Sequence, residues 1–164
     1  MSYRIRLEKE NFKFSCCHFT LLGPSEAERL HGHNYYVSVI VGLRELDPAL
    51  GMAFDFNEVK PLVRRLTDAW DERVLLPGRS PYLNVETKES SVTVTFGKKR
   101  YEFPREDVLI LPTVNMTSEE LARLLAENLA AQLKANPKLQ SRLESITVGV
   151  EETRGQSVYC ELKL

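Results

Sequence analysis

Apolar and polar residues alternate along the first part of the chain. Over positions 3–20 this alternation predicts a strand with one apolar face. The side chains that share one parity there are Phe12, Phe14, Cys16 and His18. After a loop around Gly23, the β-branched and aromatic run from His33 to Leu43 predicts a second strand, which we expect to pair with the first as an antiparallel hairpin.

Helical periodicity appears in two later segments. An amphipathic helix is predicted to begin near Asn57, with Pro61 tolerated only in its first turn. Its apolar stripe consists of Val59, Leu62, Val63, Leu66 and Trp70. A second helix is predicted to start at Thr117, where Thr-Ser-Glu-Glu is a capping-box pattern, and to end before Pro137. Its apolar stripe consists of Leu121, Leu124, Leu125, Leu129 and Leu133.

Residues 77–112 interrupt this pattern with prolines and glycines. The runs 92–96 and 100–103 predict a small hairpin-like, two-stranded insertion between the helices, too short for a core of its own. Two closing strands, 146–152 and 157–162, are predicted to join around Gly155. This order predicts an α+β fold, an antiparallel sheet with two helices on one face, in a single domain spanning 1–164.

Composition narrows the class of protein. The 164 residues carry 22 basic and 23 acidic side chains, so nothing indicates nucleic-acid binding. No apolar stretch is long enough to span a membrane, and the first residues lack the apolar core of a signal peptide. Three cysteines, two of them adjacent, make a poor disulfide framework, so we expect reduced thiols and a cytoplasmic location.

The only three histidines of the chain are His18, His31 and His33. His31 and His33 are two residues apart, so on a strand both point to one face, and Gly32 between them allows close backbone approach. His18, on the preceding strand, can lie opposite the pair. Three converging imidazoles form a catalytic type of zinc site, whose open position lets the metal polarise a substrate oxygen. Ordinary structural histidines are the alternative.

The segments around these histidines, Phe14–His18 and Leu30–Tyr35, resemble the zinc signature of 6-pyruvoyl- and 6-carboxy-tetrahydropterin synthases. Further similarities follow in the family's order: Gly51–Phe56, Trp70–Leu75, Thr117–Glu119 and Val150–Thr153. The resemblance implies the tunnelling fold (T-fold), zinc as cofactor and a small-molecule pterin substrate. It also implies a homo-oligomer with its sites at subunit interfaces.

The general base is the first departure from that family. The best-known members have a cysteine four residues before the first histidine of His-Gly-His, where this chain has Ala27. Glu28 resembles a variant branch in which a glutamate replaces the cysteine and the side chain of dihydroneopterin is cleaved to 6-hydroxymethyl-dihydropterin. Such a carboxylate moves the proton best when burial raises its pKa. Glu26 is a nearby alternative base. The structural alternative is that Glu28 is simply a solvated loop carboxylate.

The proton relay is the second departure. The family pairs an aspartate with a following histidine, and here the pair reads Asp71-Glu72. Both are candidate catalytic residues, although glutamate can replace imidazole only with a perturbed pKa. The alternative is that they merely end the first helix. Cys16 could be a spare thiol base or a metal ligand, but a small buried residue is the stronger interpretation.

Glu152 is the candidate for pterin recognition. Its carboxylate could accept two hydrogen bonds from the 2-amino-4-oxo edge of the ring, whereas Glu151 points to the opposite face of the strand. Thr117 and Ser118 could also contact the ring, or simply cap the second helix.

The sequence therefore predicts a zinc-dependent lyase acting on a dihydropterin side chain, either 6-carboxy- or 6-pyruvoyl-type or the dihydroneopterin-cleaving variant. Such enzymes serve tetrahydrobiopterin, folate or queuosine biosynthesis. Ala27 and Glu72 favour the alternative, a non-catalytic zinc- and pterin-binding paralogue. A zinc hydrolase on an unrelated substrate is a weaker hypothesis.

Overall fold

Two sheets and two α-helices make up the computed structural model, which describes residues 2–164; Met1, included in the predicted domain, lies outside this range. The elements are β1 (Tyr3–His18), β2 (His31–Leu43), α1 (Phe56–Asp68), β3 (Arg73–Pro77), β4 (Asn84–Thr87), β5 (Ser91–Phe96), β6 (Lys99–Pro104), β7 (Val108–Leu111), α2 (Ser118–Lys134), β8 (Leu143–Thr153) and β9 (Gln156–Lys163). Neither helix of the described chain is long and apolar enough to cross a membrane.

The larger sheet has the strand order β7-β3-β1-β2-β8-β9. β1, β2, β8 and β9 pair antiparallel, as the alternating patterns predict. β3 and β7 extend this sheet by parallel pairing, which the patterns do not predict. Both contribute short continuous apolar runs, 74–76 and 108–111, of the kind found in buried parallel strands. The predicted α+β class, with two helices and a largely antiparallel sheet, is confirmed.

Both helices pack on one face of the larger sheet, where they enclose the first apolar cluster. Its most deeply buried large side chains include Phe12, Phe14, Tyr35, Leu121, Leu129 and Leu133. Thr117 caps α2 by accepting a hydrogen bond from the N–H of Glu120 at 3.4 Å, so the predicted start is confirmed. Asp55 caps α1 in the same way, and Pro61 consequently lies in the second turn of that helix, not in its first.

Residues 77–112 form more than the predicted two-stranded excursion. β4, β5 and β6 make a separate three-stranded antiparallel sheet, called the inserted sheet below, while β7 joins the larger sheet. The pattern did not predict β4 because most of its side chains are exposed. The second apolar cluster is formed by Phe19, Leu21, Leu76, Val92, Val94, Phe96 and Val108. A sheet this small cannot bury a core alone, so it shares one with the end of β1 and the loop that follows.

A change of register in β1 decides which of its side chains face the helices. The pairing with β2 shifts between Glu8 and Lys13. Leu7 before the shift and Phe12 after it are both buried, although they have opposite parity. The shift therefore gives the face that carries His18 the same orientation as the core.

Candidate metal centre and active site

The candidate site forms where the buried face of the larger sheet reaches the ends of its strands. Because residues two apart on a strand face the same side, each row of apolar side chains continues into polar ones there. These polar residues are His18 on β1, His31 and His33 on β2, and Glu152 on β8. The site is thus an extension of the core face, open at one end.

Strand pairing brings the three histidines together. His18 lies directly opposite His31, and Cys16 lies opposite His33. Ligand atoms of the three histidines all lie within 4.8 Å of one another. Gly32 contributes to this approach, since a Cβ at that position would lie only 3.2 Å from the carbonyl oxygen of Cys16. The side chains therefore converge as their spacing predicts.

Backbone carbonyls orient two of the imidazole rings. Nδ1 of His18 donates to the carbonyl of Met116 at 3.1 Å, and Nδ1 of His31 donates to that of Arg29 at 2.7 Å. A proton on Nδ1 leaves the lone pair on Nε2, which is the form that binds a metal. Burial, and then the adjacent His31, lower the pKa of His18 and favour its neutral ring. Three neutral imidazoles suit zinc, so the residues fit this metal.

Tyr35 adds a buried hydroxyl that the sequence analysis did not single out. Its O–H donates to Oε1 of Glu152 at 2.9 Å and lies 3.0 Å from Nε2 of His18. The ring is fully buried and stacks on Phe14. Because its one proton goes to Glu152, the Nε2 lone pair of His18 stays free. The available signal was parity, since Tyr35 continues the row that holds the histidines of β2.

The two adjacent glutamates of β8 lie on opposite faces of the sheet, as predicted. Oε1 of Glu152 is 3.4 Å from Nε2 of His33 and 3.9 Å from Nε2 of His18. Glu151 lines a groove of ≈530 Å³ on the other face, and it accepts a hydrogen bond from the N–H of Gly155 at 3.2 Å. Of the two, only Glu152 borders the histidines.

Glu28 lies beside the histidines in the loop between β1 and β2. Its Oε2 is 3.9 Å from Nε2 of His31 and accepts a hydrogen bond from the N–H of Thr20 at 3.2 Å. Burial raises the pKa of Glu28, but the hydrogen bonds from Thr20 and the nearby His31 and His18 outweigh it and hold the pKa below its ordinary value. Glu28, with 41% of its side chain exposed, therefore lacks the burial-raised pKa that favours a general base. Glu26 is exposed to solvent in the same loop.

Asp71 and Glu72 are not in hydrogen-bonding contact with the histidines in the described part of the chain. Oδ1 of Asp71 accepts a hydrogen bond from the N–H of Ser15 at 2.6 Å, and the N–H of Glu72 donates to the carbonyl of Ser15 at 2.7 Å. Glu72 has a left-handed backbone, with φ of 55°. It shares with His33 a shallow cleft of ≈410 Å³. Both residues tie the segment after α1 to β1, and their catalytic roles stay predictions.

Within residues 2–164, the cluster of converging ligand atoms consists of the three histidines and does not include Cys16. Burial raises the pKa of its thiol to about 12, with smaller contributions from Cys17 and Glu152. A thiol that stays protonated is a poor base, which favours the packing interpretation. Thr117 serves as the helix cap, and the hydroxyl of Ser118 interacts with that of Tyr35.

Comparisons with known sequences agree with this geometry. A family model described as 6-pyruvoyl tetrahydropterin synthase matches residues 6–162. A curated protein of Methanocaldococcus jannaschii, with the provisional name 6-carboxy-5,6,7,8-tetrahydropterin synthase, is 31% identical over 156 residues, 92% of this chain and 93% of that protein. A protein of Pyrococcus abyssi with the same provisional name is 31% identical over 119 residues, 71% of this chain and 69% of that protein.

Solved structures extend the similarity to the whole fold. The 6-pyruvoyl tetrahydropterin synthase of Plasmodium vivax has a TM-score of 0.92 and 25% identity, covering 100% of this chain and 99% of that one. The Plasmodium falciparum enzyme has a TM-score of 0.91, also at 25% identity and covering 99% of each chain. Two further P. vivax structures are variants in which a glutamate described as a catalytic residue is replaced by alanine or cysteine. The T-fold is thereby confirmed, and this chain belongs to the 6-pyruvoyl tetrahydropterin synthase family.

Proposed function

We propose that this protein is a zinc-dependent lyase that cleaves the side chain of dihydroneopterin, with Glu28 as the carboxylate that moves the proton. The observation that carries the proposal is the position of Glu28, whose Oε2 lies 3.9 Å from Nε2 of His31. The position of the family's thiol base holds Ala27, which cannot accept a proton. The P. vivax relatives, in which a glutamate is described as catalytic, support the choice of a carboxylate.

In this proposal His18, His31 and His33 hold the zinc. When bound, the metal would supply Lewis-acid polarisation of an oxygen on the substrate side chain. The carbonyls of Met116 and Arg29 accept the Nδ1 protons of His18 and His31. The Nε2 atoms of both rings therefore stay free to bind the metal.

Glu28 can act as a base at neutral pH because its carboxylate is ionised. Its pKa lies below the ordinary value for glutamate, so the carboxylate is ionised before substrate arrives. Cleavage removes a proton from the hydroxyl of the carbon that departs as an aldehyde, and it adds a proton to the carbon that stays on the ring. One carboxylate next to both carbons can carry out the two transfers in turn.

Glu152 is proposed to bind the pterin ring. Tyr35 donates to Oε1, which orients the carboxylate, and Oε2 accepts no hydrogen bond from residues 2–164. With 30% of its side chain exposed, the carboxylate can still be reached by a ligand. A carboxylate with a free oxygen can accept hydrogen bonds from the 2-amino group and ring N–H of a pterin. Thr117 and Ser118, at the start of α2, are proposed to border the ring.

As the family resemblance implies, the proposal includes a homo-oligomer. Sedimentation velocity would detect it, and a stable monomer would contradict it.

Turnover tests the proposal. The zinc-loaded protein is incubated separately with dihydroneopterin and with dihydroneopterin triphosphate, and the products are separated by chromatography. We expect 6-hydroxymethyl-dihydropterin from dihydroneopterin, at a rate that falls about 10²–10⁴-fold in Glu28→Gln, which is the usual contribution of a general base. Glu26→Gln, an exposed acid of the same loop, is the matched control and should keep its rate.

Other outcomes would point elsewhere. A product from the triphosphate that persists in Glu28→Gln would overturn side-chain cleavage and favour 6-carboxy- or 6-pyruvoyl-type chemistry. Pterin binding without turnover of either substrate would favour the non-catalytic paralogue, in agreement with the glutamate at position 72.

A further inference from the structure

The inserted sheet contacts the loop that carries Glu28. Lys99 is the first residue of β6, directly after the tight turn that contains Gly97 at φ 57°. Its ammonium donates to the carbonyl of Ala27 at 3.0 Å and to that of Glu28 at 3.1 Å. A single side chain of the insertion therefore holds two successive backbone groups of the loop.

Aromatic packing reinforces this contact. Tyr101, two residues after Lys99 on β6, stacks on Phe19 with the ring centroids 5.5 Å apart. Phe19 directly follows His18 in the chain. On the other side of the loop, Ala27 and Leu30 pack against the second apolar cluster. The inserted sheet thus contacts the loop both where it leaves β1 and where it approaches β2.

Within the loop, the N–H groups of Leu22 and Gly23 donate to the carbonyl of Glu26 at 2.9 and 3.2 Å. The N–H of Glu28 donates to the carbonyl of Thr20 at 2.9 Å, and Leu21 and Ala27 form an isolated bridge. Near its start, the side-chain amide of Asn115 binds both backbone groups of Leu21 at 2.9 Å. Within residues 2–164, no side chain from outside the inserted sheet donates a hydrogen bond to the backbone of Ala27 or Glu28. The Glu28 end of the loop is therefore held by its bonds with Thr20 and, from the inserted sheet, by Lys99.

We propose that Lys99 is a positioning residue for Glu28 and that the inserted sheet keeps the Glu28 carboxylate beside the histidines. The inference rests on the proposed function, in which Glu28 moves the proton. Both contacts of the ammonium are with backbone oxygens, so Lys99 acts by holding the path of the loop and not by pairing with the carboxylate. The inserted sheet then contributes to the geometry of the site.

Lys99→Met tests this proposal, because it keeps the aliphatic stem and removes the donor. Lys98→Met is the matched control, since Lys98 is exposed and has no side-chain hydrogen bond in residues 2–164. Amide hydrogen exchange of the zinc-loaded protein is followed in peptides covering 26–30, together with zinc content, unfolding temperature, KM and kcat.

In Lys99→Met we expect exchange at 26–30 to rise about tenfold, the usual effect of losing a hydrogen bond to a charged group. The kcat should fall by a similar factor, with KM for dihydroneopterin and zinc content unchanged. Lys99→Arg, which restores a donor, should recover much of both changes. Lys98→Met should match the natural protein in every measurement.

Two results would overturn the inference. In one, exchange and kcat of Lys99→Met equal those of Lys98→Met. In the other, exchange rises but kcat is unchanged, so that the loop is held without consequence for the reaction. Absence of turnover in the natural protein would count against the proposed function alone. The exchange comparison would still show whether Lys99 holds the loop.

Discussion

The two parts of the candidate site are held by different regions of the molecule. The histidines lie on β1 and β2, within a long antiparallel pairing that packs over the first apolar cluster. Glu28 lies on a loop that packs against the second apolar cluster and the inserted sheet. Strand register positions the histidines, whereas contacts between distant segments position Glu28.

Under the proposed function, this difference lets the proton-transferring group change while the three histidines are kept. A side chain on a paired strand cannot move by one position without turning to the other face of the sheet. A loop residue has no such constraint, so a base can be supplied from position 28 when position 27 is alanine. Such a base requires that the loop be held in place, which is the role proposed above for Lys99 of the inserted sheet.

Removal of a metal ligand should have the largest effect. We expect His31→Ala to lose zinc, with affinity reduced by more than about a hundredfold, since loss of an outer partner alone costs about 10–100-fold. Metal analysis after dialysis measures this. Asn34→Ala is the control, because Asn34 lies on the same strand but bonds to Ser15 on the other face. Unchanged metal content in His31→Ala would contradict the assignment of His31 as a metal ligand.

Truncations in the two apolar clusters should separate the two regions. Leu129→Ala, in the first cluster, and Phe96→Ala, in the second, should each lower the free energy of unfolding by about 2–5 kcal/mol. Only Phe96→Ala should also speed amide exchange in residues 19–30. Denaturant unfolding and hydrogen exchange provide the two measurements. Equal loosening of the loop by Leu129→Ala would show that the two regions behave as one.

The two glutamates of β8 test the part of the site that lies on strands, with a smaller expected effect. Glu152→Gln should weaken dihydropterin binding about tenfold, because it removes a charge-assisted hydrogen bond. Glu151→Gln, one residue away on the opposite face, should bind like the natural protein. Fluorescence titration of both variants gives the comparison. Equal losses would indicate that the ring binds elsewhere.

Asp71→Asn should have the smallest effect. Asp71 accepts a hydrogen bond from the N–H of Ser15, so its replacement should lower the free energy of unfolding by about 1 kcal/mol and leave zinc content unchanged. Thermal unfolding and turnover are compared with those of Glu72→Gln. A loss of turnover beyond a hundredfold in Asp71→Asn would instead assign it the relay role that the family resemblance implies.

Much of the fold was predictable because its signals are local. The capping box at Thr117 and the leucine stripe of α2 are strong patterns, and both helices and the four antiparallel strands were found from such patterns. β3 and β7 were missed because short apolar runs have no period that separates a strand from other buried segments. β4 was missed for the opposite reason, since it is short and largely exposed.

The sequence by itself predicted that His18, His31 and His33 meet. The spacing of His31 and His33 places them on one face by itself, and the pairing of two successive strands brings His18 opposite them. The absence of the family's thiol, at Ala27, was equally visible.

Only the tertiary structure decided what surrounds these groups. The carbonyl of Met116 orients His18 across 98 residues, and Tyr35 orients Glu152 across 117. Lys99 reaches the carbonyl of Ala27 across 72 residues. Backbone carbonyls have no sequence signature, and segments so far apart meet only when the sheets and both apolar clusters are packed together.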